Sequence, residues 1–185
     1  MKAYSNNLIK QISRHIRHGG VIAYPTESCF GLGCDPFNRQ AIAKILKIKA
    51  RSKAKGLIVI AGRETQLNQL LIPLSSKDKL GFKKYWPGPF SLILAASSKV
   101  PKNLIGANPR IAVRVTQHQL VQQICSTLNL PLVSTSANKS GHKAIRSYRE
   151  CVRQFGSQVL VLPGLINFAK QPSTIIDWAT REIIR

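Results

Sequence analysis

Residues 131–141 read PLVSTSANKSG: two apolar residues, then only small or polar ones as far as Lys139. Hydroxyls and amides at this density compete with the backbone for hydrogen bonds, so they are poor material for a strand interior. They suit either a turn with a helix cap or the end of a strand whose donors converge on a polar ligand. Just upstream, Leu120, Val121, Ile124 and Leu128 fall on one face of a helix. A helix feeding a short apolar strand that ends in hydroxyls is the unit of an α/β fold.

The same alternation runs outward in both directions. Ser5 can cap a helix whose Leu8, Ile9, Ile12 and Ile16 share a face, stopped by Gly19-Gly20. VIAY (21–24) follows as a strand halted by Pro25, and PTESCFGLGCDP (25–36), with Gly31 and Gly33, reads as a long loop. Residues 38–50 form a second helix with Ala41, Ile45 and Ile48 inside, and LIVIA (57–61) is a buried strand. One or two helices are expected between Leu70 and Tyr85, before the breaker WPGP (86–89). SLILAA (91–96) and IAVRV (111–115) are strands. A helix over 147–155 and strands near 158–162, 173–177 and 181–185 complete the chain. The expectation is an α/β domain with a mixed, twisted sheet and flanking helices, one domain over residues 1–185.

Composition narrows the function. Lys and Arg number 28 against 7 Asp and Glu, a net charge of +21, which attracts nucleotides, nucleic acid or acidic membrane surface. Only Glu27, Asp35, Glu64, Asp78, Glu150, Asp177 and Glu182 could act as carboxylate bases or metal ligands, so paired-carboxylate catalysis is disfavoured. Phosphate chemistry needs little beyond donors, positive charge and Mg²⁺. Cys29, Cys34, Cys125 and Cys151 form no CxxC pair, and a zinc site on Cys29 and Cys34 lacks a second close pair of ligands. No apolar run is long enough to span a bilayer, and MKAYSNNLIKQ lacks the apolar segment of a signal peptide, so a cytoplasmic location is expected.

Neither GxxxxGK[ST] nor GxGxxG occurs, which leaves three places for anion chemistry. Lys49-x-Arg51 closes the second helix, where cations also favour the helix dipole by roughly 0.3–1 kcal/mol. Arg114 interrupts an apolar strand, so it lies on a solvent face or faces a polar cavity. STSAN is the third. A non-catalytic module binding tRNA or ribosomal RNA through the same basic surface is the rival reading, though no RRM, KH or dsRBD signature is present and aromatics are only 6%.

Taken together, YPTESCFGLGCDP (24–36), Lys49-x-Arg51, WPGP (86–89), AVRVT (112–116), STSANKSG (134–141) and PSTIID (172–177) resemble the YrdC/Sua5 family in its short single-domain form, nearly end to end. The resemblance implies a twisted α/β sheet around a concave basic cavity. It also implies synthesis of threonylcarbamoyl-adenylate and pyrophosphate from L-threonine, bicarbonate or CO₂, and ATP with Mg²⁺. Partner proteins then transfer the threonylcarbamoyl group to the adenosine beside the anticodon of tRNA. Carried over by position, Thr26, Arg114, Ser134 and Ser173 would contact threonine. Lys49, Arg51, Ser136 and Asn138 would contact ATP, with Arg110 and Arg185 as looser matches. No protein nucleophile and no metal-binding residue is implied. Many relatives carry Pro and His where this chain has Ser52 and Ile60, and no counterpart of the C-terminal domain of longer relatives is expected. His118 and His142 lie near matched motifs, with a surface or cap role expected for each.

Overall fold

The computed structural model describes residues 3–52, 54, 56–105, 107–167, 169 and 171–185. Helix α1 (Asn6–Arg17) starts where Ser5 Oγ accepts from Leu8 N and buries Ile9, Ile12 and Ile16; the chain then reverses at Gly19 with φ of 73°. Strands β1 (Ile22–Pro25) and β2 (Phe30–Gly33) precede α2 (Arg39–Lys49), capped by Asn38 and ended by Ala50 in the left-handed conformation. Next come β3 (Ile58–Ala61), a 3₁₀ turn (Glu64–Leu67), α3 (Ser76–Phe82) and β4 (Phe90–Ala95). They are followed by α4 (Lys102–Ile105), β5 (Arg110–Val115), α5 (Gln119–Leu128) and β6 (Leu132–Ser136). Helix α6 (Tyr148–Phe155) and strands β7 (Leu160–Val161) and β8 (Thr174–Asp177) close the series.

The eight strands form one sheet in the order β7-β1-β2-β6-β3-β5-β4-β8. The pairs β1/β7, β3/β5 and β4/β8 are parallel, and the rest are antiparallel. This is the mixed sheet expected from the element pattern.

Two expectations need correction, one at FGLG and one at the C-terminal end. FGLG (30–33), read as loop, is an inner strand between β1 and β6. Its glycines reflect crowding rather than turning: a Cβ on Gly33 would stand 2.6 Å from Tyr24 Cε1 and 2.7 Å from Val133 O. Between Leu70 and Tyr85 there is one seven-residue α-helix, within the one or two expected, and Leu71 ahead of it bridges to Ala96. At the end, 181–185 is no strand; Ile183 makes an isolated bridge to Ile176 after a reversal at Arg181, whose φ is 66°.

Side chains alternate across the sheet as strand geometry requires. Val59, Ala61, Val113 and Val133 face a core shared with Ala41, Ile42, Ile45 and Leu46 of α2. On the other face, Ile22, Tyr24, Ile60 and Leu132 meet Ile12 and Ile16 of α1 and Val121, Ile124 and Cys125 of α5. These two helices do not cover that whole face, and the rest of it is the wall of a cavity.

Candidate functional site

Strand register determines what points into the cavity. Ile60 pairs with Arg114 and Leu132, and Ile58 with Ala112 and Ser134, so Arg110, Ala112 and Arg114 project to the same side as Ser134 and Ser136. The resulting cavity has a volume of about 710 Å³. Its lining includes Thr26, Arg51, Arg110, Arg114, Ser134, Ser136, Ser173 and Arg185, from strands and loops far apart in the chain. Lys143 and Arg146, from the segment after β6, bring the cations among the described lining residues to six, and none of the described lining residues is an Asp or Glu. Apolar side chains such as Ile58, Leu104 and Ile175 fill the surfaces between them. A concave, partly apolar site with convergent cations and hydroxyls is built for an organic anion.

Arg114 is 8% exposed. Its Nε donates to Gly88 O at 2.8 Å, and Nη2 forms an ion pair with Glu27 Oε1. Of the two readings left by the apolar strand, the polar cavity is the correct one. Ser173 Oγ lies 3.0 Å from Ser91 Oγ, and Thr26 Oγ1 donates to Cys29 O at 2.7 Å. Arg110 pairs with Asp177, while Arg51 Nη2 donates to Gly56 O and Arg185 Nη2 to Ser173 O. Burial, then the nearby Arg185, holds the Arg51 guanidinium below its ordinary range. The terminal segment reaches the cavity because Ile175 N donates to Arg185 O and Ile184 N to Ile175 O, hydrogen bonds that run beside β8.

Lys49 and Asn138 stand apart from the other sequence-derived candidates, since neither lines the cavity. The Lys49 ammonium is buried and donates to Ser136 O at 2.5 Å and to Asn138 O and Oδ1 at 3.2 Å each. Ser136 Oγ donates to the same Asn138 Oδ1 at 2.6 Å, and Asn138 Nδ2 to His142 O. Together they clamp the end of β6 from behind. Burial, then the like charge of Arg51, brings the Lys49 ammonium down to about 8.

Of the surface or cap role expected for it, His118 does not have the first: it is fully buried, and it occupies the N-cap position of α5 without a side-chain cap bond. Its imidazole is held below its ordinary range, first by burial. His142 is exposed. Among the described residues, no three His, Cys, Asp or Glu side chains gather as a metal site. Sequence reasoning missed Glu27 as the partner of Arg114, and also Lys143 and Arg146. The signal for Glu27 was its place beside Thr26; for Arg146 there was only its positive charge.

Residues 14–185 match the family model Sua5_yciO_yrdC, described as "Telomere recombination". The threonylcarbamoyl-AMP synthase of Chromobacterium violaceum is 45% identical over 180 residues, which cover 97% of this chain and 93% of the relative. That of Methylobacillus flagellatus is 46% identical over 176 residues, covering 95% and 98%. Among solved structures, P. abyssi Sua5 complexed with L-threonine is 27% identical with a TM-score of 0.89, covering 96% of this chain and 53% of that one. This chain thus spans about half the length of that Sua5 and nearly all of the two synthases. A match over this much of the chain, to a sheet of the same form, shows that the chain belongs to the Sua5/YciO/YrdC family.

Proposed function

We propose that this protein is a threonylcarbamoyl-AMP synthase, an enzyme that makes threonylcarbamoyl-adenylate and pyrophosphate from L-threonine, CO₂ or bicarbonate, and MgATP. The observation that carries the reading is the cavity itself, with six cations and no Asp or Glu among its described lining residues and a buried arginine facing it. The names of the relatives support the same activity.

The chemistry fits these residue types. The threonine amine forms an N–C bond with CO₂ and loses a proton, giving an N-carboxylate. One of its oxygens attacks the α-phosphorus of ATP, the bond from that phosphorus to the bridging oxygen breaks, and pyrophosphate leaves with the electron pair. No protein nucleophile is needed; the protein's task is to position three reactants and stabilise dispersed negative charge. Arg114 would take the threonine carboxylate, with Thr26, Ser134 and Ser173 around the amino acid. Arg51, Arg110, Arg185, Lys143 and Arg146 would face the triphosphate, guanidinium forks suiting its oxygens. Lys49 and Asn138 would serve ATP indirectly, by setting the position of Ser136. Mg²⁺ would arrive as the ATP complex, because the described lining residues offer hydroxyls but no Asp or Glu.

The product would pass to proteins that transfer the threonylcarbamoyl group to tRNA, and the remaining Lys and Arg would favour RNA nearby. Among the described residues no helix is long and apolar enough to cross a membrane, which fits work in the cytoplasm. Pyrophosphate release from MgATP, with and without L-threonine and bicarbonate, tests the reading. Release is expected only with both, alongside an adenylate product of the matching mass. A folded protein that binds RNA tightly and releases no pyrophosphate would favour the RNA-binding module instead.

A further inference from the structure

Arg114 has five N–H donors, arranged along two edges of a planar guanidinium. The edge bearing Nε and Nη2 is already occupied: Nε donates to Gly88 O, and Nη2 pairs with Glu27 Oε1. Among the described residues no acceptor engages Nη1, and Arg114 lines the cavity. Nη2 is itself sealed from solvent and makes no hydrogen bond beyond that ion pair, so the donor group left for an anion in the cavity is Nη1. We infer that Glu27 is the positioning residue that fixes this choice of donor, so that the amino acid's carboxylate meets a guanidinium already turned towards it. The inference rests on the proposed role of Arg114 as carboxylate anchor.

Glu27 is itself held on two sides. Its Oε1 accepts from Thr116 Oγ1 at 2.6 Å, and that hydroxyl in turn accepts from His118 N at 3.0 Å. Its carbonyl accepts from Ala169 N at 2.9 Å, while the preceding Thr26 N donates to Cys29 O at 3.0 Å. Thr116 is fully buried, so this strut is shielded from water. A flexible arginine gains most in binding when its rotamer is fixed before the ligand arrives.

Charge neutralisation alone does not account for the arrangement. Glu27 Oε2 is buried and makes no hydrogen bond, which a counter-ion optimised for stability would avoid. Its placement makes sense if Oε1 must sit where both Arg114 and Thr116 reach it. One loop then sets two parts of the site, since Thr26 lines the cavity and Glu27 aims the arginine at it.

Two substitutions separate geometry from charge. Glu27→Gln keeps an oxygen at the Oε1 position and removes the charge, whereas Glu27→Asp keeps the charge and withdraws it by one methylene. Calorimetric titration with L-threonine, and separately with a non-hydrolysable ATP analogue, is run on the folded wild type and both variants. We expect E27Q to bind threonine within about threefold of wild type and E27D to bind about tenfold more weakly, the scale of one lost hydrogen bond to a charged group. Affinity for the ATP analogue stays unchanged in both, and kcat at saturating threonine is retained in E27D. The reverse order, equal threonine affinity in all three proteins, or a parallel loss of ATP affinity would overturn the inference. Failure of the wild type to bind threonine would instead overturn the reading of Arg114 beneath it. Glu27→Ala, if it folds, should fall below E27D in threonine affinity.

Discussion

On the sheet face that carries Ile60 and Leu132, α1 and α5 cover one end with Ile12, Ile16, Val121 and Ile124, while the end bearing Ile58, Ala112, Arg114 and Ser134 lies open as the cavity. The strands are shared between the two ends, and Ile60 and Arg114 are register partners at the border. At the covered end apolar atoms meet other apolar atoms, and their burial stabilises the fold at about 25 cal/mol per Å². At the open end the same strands carry charge into a partly desolvated site, where it is costly unless paired. One end therefore contributes stability and the other uses some of it, and substitutions should separate them.

The largest effect is expected at the open end. Arg114→Ala removes a cation facing the cavity and leaves the largely buried Glu27 without its ion-pair partner. Adenylate synthesis should fall by about a thousandfold or more, read as kcat/KM for threonine. The same variant should lose about 3–5 kcal/mol of unfolding free energy in denaturant titration, the usual scale for breaking a buried pair. Wild-type activity in this variant would dissolve the distinction between the two ends.

A smaller and opposite split is expected at the covered end. Ile124 is fully buried on α5, and Ile124→Ala should cost about 2–5 kcal/mol of stability through lost burial and the space left behind. The threonine KM of the folded enzyme should be unchanged, because Ile124 does not line the cavity. A raised KM would show that the helices transmit to the site instead of merely covering the sheet.

The smallest effect is one of sign, in alkali. Cys125, in the covered core, has its thiol pushed up to about 12 by burial. Above the ordinary thiol value of about 8.5 the unfolded chain loses a proton that the fold retains, so this contribution to stability is lost as pH rises towards 12. Lys49, behind the open end, is brought down to about 8. Between about 8 and the ordinary lysine value of about 10.4 the unfolded chain holds the extra proton, so stability gains with pH. Denaturant midpoints from pH 8 to 10.5 should show the wild-type advantage over Cys125→Ala shrinking and that over Lys49→Met growing. Parallel trends in the two variants would contradict the two environments described here.

Much of this was legible before any coordinates. The apolar spacing in α1 and α5 is one-sided because each has one face to bury, and Ser5 and Asn38 announce helix starts through side chains that accept from the first turn. The Arg in IAVRV stood out because a charge in an apolar strand needs a reason. FGLG did not stand out, since glycine's tolerance of turns and its tolerance of close packing look alike in one dimension. Lys49 and Asn138 were placed among the ATP contacts by motif position, whereas in the structure their polar atoms are turned towards each other and towards Ser136.

The sequence by itself determined which segments could be helix or strand, that anions are the natural ligands, and that carboxylate-pair chemistry is disfavoured. Periodicity, capping and net charge are local or additive properties, and a linear chain displays them. Tertiary structure alone decided that Glu27 meets Arg114 across 87 positions of chain, that β2 lies inside the sheet, and that Arg51, Arg146 and Arg185 share one cavity. Such contacts follow from strand order and register, which depend on how all the elements bury their apolar faces together rather than on any one stretch.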